Sequence, residues 1–570
     1  MSRVLGPSVG FGRDLALPIG LVAACWTPVA AGGLVWVAGH LASWTTGHGW
    51  RGPGFTFASG QLLIANGPSA LWPGVPPELV WTLSAALLGL TLVPGVVLAR
   101  VFLRRSNGAT ERSLATDADV AALLPVGVAR RAEQLRTSLK PVRGRVHRPA
   151  HEDGVLLGRL STARGAGPEL RASWEDVVLA VMAPRAGKTT ALAVPAVLDA
   201  PGPVVATSNK PDLWAITHAR RAATSGQRSW VFDPQGITGV DRTWWWNPLR
   251  GVDTVEAAHR LAGHFIQEVR GDKGHRDFWT SAAHDLLTGL LLAAGLGGRT
   301  LVEVYEWLND PVIATPAQIL RANGQPAAAA SLIGRQNGAP ETRDGIYETA
   351  RTAAQCLRDP RIMAWINVTD TLPELVPERF VQTREALYLL SKDGAGAAAP
   401  LVAALTDRVM HAATRAAERA GGRLDPPMVV VLDEAANVCR IADLPELYSH
   451  LGSRGVLPLT ILQSYRQGTR VWGDHGMDAL WSASTCKVLG AGLDDTRFAE
   501  DVSRLIGDHD VTVRSVTRGS GHASESTSLR RQRILPPEAI RAMPRGRALL
   551  LATGAKAAMI DLQPRYGARS

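Results

Sequence analysis

The chain has 570 residues, 46% of them hydrophobic and 20% charged, and carries a net charge of +10. That length allows several domains, and the composition is that of a globular chain with some membrane content. Cys25, Cys356, Cys439 and Cys486 stand at no metal-like spacing. This excludes a disulfide scaffold and points to a reducing compartment. The basic balance favours an anionic partner, nucleic acid or a membrane surface.

Met1 to Asp14 is short and holds Arg3 and Arg13. Leu15 to Ser43 contains no Asp, Glu, Lys or Arg, and a bilayer span needs about 20 apolar residues. Pro18 and Pro28 lie inside it, which membrane helices tolerate. A cleaved signal peptide is the rival reading; the run is long for that, and a second one follows. Trp44 to Pro77 is rich in Gly, Pro and Trp and reads as an external loop with Trp44, Trp50 and Trp72 at the interface. Leu79 to Leu103 is the second apolar run, followed by Arg104, Arg105 and Arg112. Arginines before the first run and after the second place both ends in the cytoplasm. Residues 1–105 therefore read as a two-helix transmembrane anchor in the inner or plasma membrane, and 106–150 as helix plus linker.

Leu156 to Ser173 reads as strands and turns. Val177 to Val181 is a short apolar run with β-branched residues, hence a buried strand. It runs into Pro184-Arg185-Ala186-Gly187-Lys188-Thr189-Thr190, after which Leu192-Ala193-Val194 can open a helix. Strand, tight loop, helix is the context of a phosphate-binding loop. Loop amides and the helix N-terminus would face the phosphates, Lys188 would neutralise the β- and γ-phosphates, and the Thr189 hydroxyl would ligate Mg²⁺. Met182 stands where the pattern has its first glycine. The alternative is a surface Gly-Lys turn.

Further strands are expected at Pro203 to Ser208 and Trp230 to Pro234, alternating with helices as in a parallel α/β sheet. Residues 249–380 hold Ala/Leu helical patterns, such as Ser281 to Gly295 and Ala327 to Arg335, and no clear strand; this is an all-helical insertion. Strands return at Ala386 to Leu390, Pro427 to Leu432, Pro458 to Gln463 and Thr485 to Gly490, with an amphipathic helix at Leu401 to Arg419. Late strands are expected at Val511 to Thr517, Ala548 to Ala552 and Ala558 to Leu562, with a Gly/Ser loop reaching Thr527. The nucleotide-binding domain is thus 151–248 with 381–570.

The strand ending in Asp433-Glu434 supplies the second element of such an ATPase. Asp433 would hold the Mg²⁺ shell and Glu434 would polarise the attacking water. The alternative is a strand-end turn. Gln463, at the next strand end, either senses the γ-phosphate or is an ordinary polar strand end. Arg454 is either an arginine finger for a neighbouring subunit or a solvated or DNA-facing arginine. Trp244, Trp245 and Trp246 read as packing residues. Arg514, Arg518, Arg530, Arg531 and Arg533 flank the Gly/Ser loop, and either contact strand phosphates or form a solvated face. The histidines show no metal pattern.

Two N-terminal apolar runs, Gly187-Lys188-Thr189, Asn209 to Leu213, Phe232-Asp233-Pro234, Trp246 to Leu249, Leu432-Asp433-Glu434, Ser453-Arg454-Gly455 and Gln463-Ser464 follow in order. This order resembles the type IV secretion coupling proteins, the TraD/TraG-like conjugative ATPases, over residues 10–565. The resemblance implies a membrane-anchored, RecA-like P-loop motor with an inserted all-α domain. It also implies ATP and Mg²⁺ as cofactors and a homo-hexameric ring. The implied partners are single-stranded DNA, a relaxase or other secretion substrate, and an inner-membrane secretion channel. By position, Lys188 and Thr189 match the family's phosphate loop, Asp433 and Glu434 its acidic pair, and Gln463 its third motif. Two other readings compete. An FtsK-type DNA translocase shares the motor but lacks the large helical insertion. A non-hydrolysing membrane receptor only docks secretion substrates.

Overall fold

The computed structural model describes residues 13–50, 52–90, 113–139, 149–162, 165–269, 278–394, 396–519 and 522–564. The chain divides into two compact units: residues 1–113 with 508–532, and 114–507 with 533–570.

In the first unit, Arg13–Thr45 forms one helix of 33 residues. Its C-terminal end carries Ala42 into a small cluster with Leu71, Trp72, Val75 and Val80. Gly39 lets the Trp72 ring lie against the helix, since a Cβ there would fall 2.3 Å from Trp72 Cζ2. No helix among the described residues is long and apolar enough to cross a membrane. This overturns the two-span anchor and the multi-pass membrane placement. In the helix Arg13–Thr45, side chains are described only from residue 29 onward. Of the second run, residues 91–103 lie outside the described residues. The unit also contains strands β10 (Asp508–Gly519) and most of β11 (His522–Arg533), paired as a two-stranded sheet. The expected Gly/Ser loop is therefore largely strand.

The second unit is built on a sheet of eleven strands: β1 (Val155–Thr162), β2 (Gly165–Ala172), β3 (Val178–Val181), β4 (Val204–Ser208), β5 (Ser229–Phe232), β6 (Ala386–Leu390), β7 (Met428–Leu432), β8 (Val456–Leu462), β9 (Cys486–Gly490), β12 (Arg547–Ala552) and β13 (Ala558–Asp561). Their spatial order is β2-β1-β13-β12-β9-β3-β8-β7-β4-β6-β5. From β9 to β5 every neighbouring pair is parallel; β12, β13, β1 and β2 extend the sheet antiparallel. The central strands β3, β4, β6, β7 and β8 are buried throughout, as parallel strands covered on both faces must be. Side chains alternate between two apolar layers: Leu179, Val205, Val430 and Leu462 enter one, Val178, Val204, Val431 and Ile461 the other.

The stretch between β5 and β6 is helical: Val255–Ile266, Phe278–Leu296, Leu301–Asn309, Thr315–Ala322, Pro326–Gln336, Pro340–Ala353, Pro360–Ile366 and Pro377–Phe380. Phe278–Leu296 is its centre. It buries every residue from Leu286 to Ala294, positions spread around the whole helix, so neighbours must cover every side. The chain entering and leaving this stretch is tied at a neck. Trp245 N–H donates to the Pro373 carbonyl at 3.1 Å, and Leu375 N–H to the Trp245 carbonyl at 2.9 Å. Beside it Trp244 meets Trp365 edge-on, with ring centroids 5.5 Å apart. All three tryptophans of Trp244 to Trp246 are buried, so they are packing residues. In the segment first read as helix plus linker, Val120, Leu123, Val128 and Ala132 are buried, and Arg136 pairs with Glu152 at 2.8 Å.

Candidate nucleotide site

In a parallel sheet, all strands end at one edge, and loops leaving that edge meet over it. The loop Met182 to Lys188 leaves β3, Asp433-Glu434 leaves β7 and Gln463 leaves β8, and β8 lies between β3 and β7. Residues far apart in the chain thereby become neighbours.

The loop turns tightly. Arg185 has φ +62° and Gly187 φ +89°, the left-handed region that glycine enters without strain and arginine does not. Ala186 N–H bonds back to the Ala183 carbonyl at 3.3 Å, and Pro184 and Arg185 are exposed. Met182 is fully buried. Its side chain occupies space left by Gly490 on β9, where a Cβ would fall 2.6 Å from Met182 Cγ and Cε. The missing first glycine is thus matched by a glycine on the next strand. After Lys188 the backbone makes a π-helical turn, Thr189–Ala193, before the α-helix Val194–Asp199. Pro195 has no N–H and crowds the carbonyl four residues back; a wider turn, closed by Val194 N–H to the Thr189 carbonyl, accommodates it.

Four polar contacts join these three strand ends to one another and to the end of β4. Lys188 Nζ donates to Glu434 Oε1, and both side chains are buried. Gln463 Nε2 donates to Glu434 Oε2 at 2.6 Å. Thr189 Oγ1 donates to Asp433 Oδ2 at 2.9 Å. Thr207 Oγ1, at the end of β4, donates to the Asp433 carbonyl at 3.2 Å. Glu434 itself has φ +56° and opens the short helix Ala435–Val438. Burial pushes the Asp433 carboxyl up, against the pull of Lys188 and the Thr189 hydroxyl. Its Oδ1 is buried without a hydrogen-bond partner among the described residues. A buried orphan oxygen beside a threonine hydroxyl fits a small divalent cation, which would supply the missing partner.

Thr190 faces the loop, its Oγ1 donating to the Gly187 carbonyl at 3.3 Å. Arg454 is not brought to this site. It ends the turn Gly452–Arg454 ahead of β8, hence at the opposite edge of the sheet, where it lies 3.6 Å from Glu418. Among the arginines near β10 and β11, Arg531 pairs with Asp508 and Arg533 with Glu500, each at 3.5 Å; Arg530 is exposed. The side chains of Arg514 and Arg518 lie outside the described residues. Sequence reading missed Asn437 and Gln467. Asn437 Nδ2 reaches Glu434 Oε2 at 3.4 Å, and Gln467 Nε2 donates to Asn437 Oδ1 at 2.8 Å. The one available signal was the four-residue spacing from Gln463 to Gln467 at a helix start.

Residues 427–545 match the family model described as the TraM recognition site of TraD and TraG. The conjugal transfer protein TraG of Agrobacterium fabrum (strain C58 / ATCC 33970) is 23% identical over 379 residues, 62% of this chain and 55% of that protein. The chain thus spans about half the length of that curated relative. Among solved structures, the bacterial conjugative coupling protein TrwBdeltaN70 in its unbound monoclinic form superposes with a TM-score of 0.51 at 17% identity, covering 72% of this chain and 90% of that one. The plasmid coupling protein TrwB in complex with ADP and Mg²⁺ gives 0.50 at 17% identity, covering 70% and 87%. At such identity the two structures speak for the fold alone, a P-loop α/β fold with a mixed sheet. Together with the TraG match they bear out the resemblance to type IV secretion coupling proteins read from the motifs.

Proposed function

We propose that this chain binds ATP with Mg²⁺, hydrolyses it, and couples the reaction to passing DNA or nucleoprotein into a type IV secretion channel. The observation that carries the reading is the meeting of Lys188, Thr189, Asp433, Glu434 and Gln463 at adjacent strand ends. In nucleotide hydrolysis each would have a task. Lys188, released from Glu434, neutralises the β- and γ-phosphates, while the loop amides cradle them. Thr189 and Asp433 would hold Mg²⁺, which when bound would draw off charge from the phosphate oxygens. Glu434 orients a water toward the γ-phosphorus and accepts its proton as the bond to the ADP oxygen breaks. Gln463 holds Glu434 and faces the γ-phosphate.

The similar proteins support this reading by analogy: TrwB has been solved with ADP and Mg²⁺, and the matched region is described as a TraM recognition site. The +10 charge suits a nucleic-acid cargo, single-stranded DNA bound to a relaxase. A homo-hexameric ring would place Arg454, absent from its own chain's pocket, at a neighbour's nucleotide. The helices between β5 and β6 weigh against an FtsK-type translocase.

The test is phosphate release from Mg-ATP, with and without single-stranded DNA, for wild type and Glu434→Gln. DNA-stimulated hydrolysis that disappears in Glu434→Gln, with nucleotide still bound, is the expected result. Nucleotide binding without turnover in wild type would favour the docking-receptor reading. Undiminished hydrolysis in Glu434→Gln would remove the assignment of the base.

A further inference from the structure

Glu434 is held on its outer oxygen by a closed ring of amides. Gln463 Nε2 donates to Glu434 Oε2 at 2.6 Å, and Asn437 Nδ2 reaches the same oxygen at 3.4 Å. Gln467 completes the circuit: its Nε2 donates to Asn437 Oδ1 at 2.8 Å, and its Oε1 accepts the Gln463 backbone N–H at 2.9 Å. Two elements supply the ring. Asn437 sits on the short helix Ala435–Val438, its N–H bonded to the Glu434 carbonyl at 2.9 Å. Gln467 lies in the first turn of the helix Tyr465–Ala483, which Ser464 caps by accepting from Gln467 N–H at 3.2 Å. Both side chains are half-buried.

The polarity of the ring is determined throughout. Gln467 uses its oxygen on a backbone donor and its nitrogen on Asn437, so Asn437 must turn its nitrogen toward the carboxylate. Reversing either amide would set donor against donor or acceptor against acceptor, which half-buried groups do not tolerate cheaply. The need for such a ring follows from the backbone. Glu434 stands at φ +56°, a conformation that a non-glycine residue keeps only when its surroundings hold it. Its other oxygen is taken by Lys188, a partner that nucleotide would draw away.

We propose that Asn437 and Gln467 are positioning residues for ATP hydrolysis, keeping the Glu434 carboxylate aimed at the attacking water once Lys188 has moved to the phosphates. The inference rests on the hydrolytic reading above, and deepens it by separating what holds the base from what binds nucleotide. Neither residue touches nucleotide in this scheme. A base misplaced by about an ångström loses up to roughly 100-fold in rate, so the effect belongs in kcat.

The experiment measures kcat, KM and fluorescent-nucleotide affinity for Gln467→Ala, Gln467→Glu, Asn437→Ala, Asn437→Asp and the double alanine variant, with Glu434→Gln as reference. Each alanine variant is expected to lose roughly 10- to 100-fold in kcat, with KM and affinity within about twofold of wild type. The double variant should be scarcely worse than either single, because one break already opens the ring. Asn437→Asp keeps the shape, removes the donor and sets two carboxylates face to face, so it should fall below Asn437→Ala; a merely structural role predicts the reverse. Should Asn437→Asp fail to fold, Gln467→Glu applies the same test one bond further from the base. Wild-type kcat in Gln467→Ala and Asn437→Asp, beside an inactive Glu434→Gln, would overturn the inference and leave the hydrolytic reading standing. An active Glu434→Gln would instead overturn the reading beneath it.

Discussion

The two parts of the large sheet differ in what their ends can do. The parallel strands from β9 to β5 are joined by crossovers, so every C-terminal end reaches the same edge. Lys188 and Glu434 meet there although 246 residues separate them. The antiparallel strands β12, β13, β1 and β2 point alternately up and down, and β2 begins exposed. Their contribution is burial: Leu549 and Ile560 are fully covered. Direction, rather than hydrophobicity, decides which strands can assemble a site.

The comparison breaks first at Lys188. Lys188→Ala should lower ATP hydrolysis by roughly 100-fold or more, because phosphate charge then lacks its fixed cation. It also leaves the buried Glu434 carboxylate without its ionic partner. Steady-state phosphate release reads the effect; hydrolysis within about twofold of wild type would show that the parallel edge is not the reacting edge. The opposite case is Ile560→Ala on β13. A fully buried isoleucine cut to alanine should cost about 2–5 kcal/mol in denaturant unfolding. Well below its melting temperature, that variant should keep wild-type kcat. A matching loss of kcat would mean that the antiparallel part shapes the site after all.

A smaller effect tests how the departed glycine is accommodated. Gly490→Ala sets a methyl 2.6 Å from Met182 Cγ and 3.2 Å from its Cβ. The near end of that side chain cannot swing aside, so the variant should lose about 1–3 kcal/mol. Combined with Met182→Gly it should lose less than the sum of the two single variants, since the clash is gone. Additive losses would show that the two positions do not share this space.

Much of the parallel sheet and of the candidate site was legible because its signals are local. Val177 to Val181 followed by Gly187-Lys188-Thr189, and Met428 to Leu432 followed by two acids, each show strand and chemistry in one window. Arg454, read from the sequence as a finger for a neighbouring subunit or as a solvated or DNA-facing arginine, does not join its own chain's site. A residue before β8 and a residue after it lie at opposite edges, as strand direction alone requires. β11 was hidden because His522 to Arg533 alternates no apolar face, so period-two patterning had nothing to register. Of the two N-terminal runs, only part lies among the residues whose side chains are described, and no helix there is long and apolar enough to cross a membrane. Asn437 and Gln467 carry no motif, and their roles depend on two helices meeting.

The least drastic test concerns how the parallel part holds the helices inserted between β5 and β6. Asp407, on the helix Ala399–Arg419, is buried. It is approached by His264 Nε2 at 3.2 Å from the helix Val255–Ile266, and by His411 Nε2 at 3.3 Å from its own helix. Burial alone would raise the Asp407 carboxyl, but hydrogen bonds and charge from His264 and His411 outweigh it and hold it well below the usual range. A carboxylate lowered in the folded state contributes stability that is complete above its unfolded pKa, near ~4, and is lost as pH falls through the folded value. Asp407→Asn should therefore cost about 1–3 kcal/mol at neutral pH. The gap to wild type should narrow as pH drops below ~4. Denaturant unfolding at several pH values measures it. A gap that stays constant into acid would mean that the two histidines do not hold the charge.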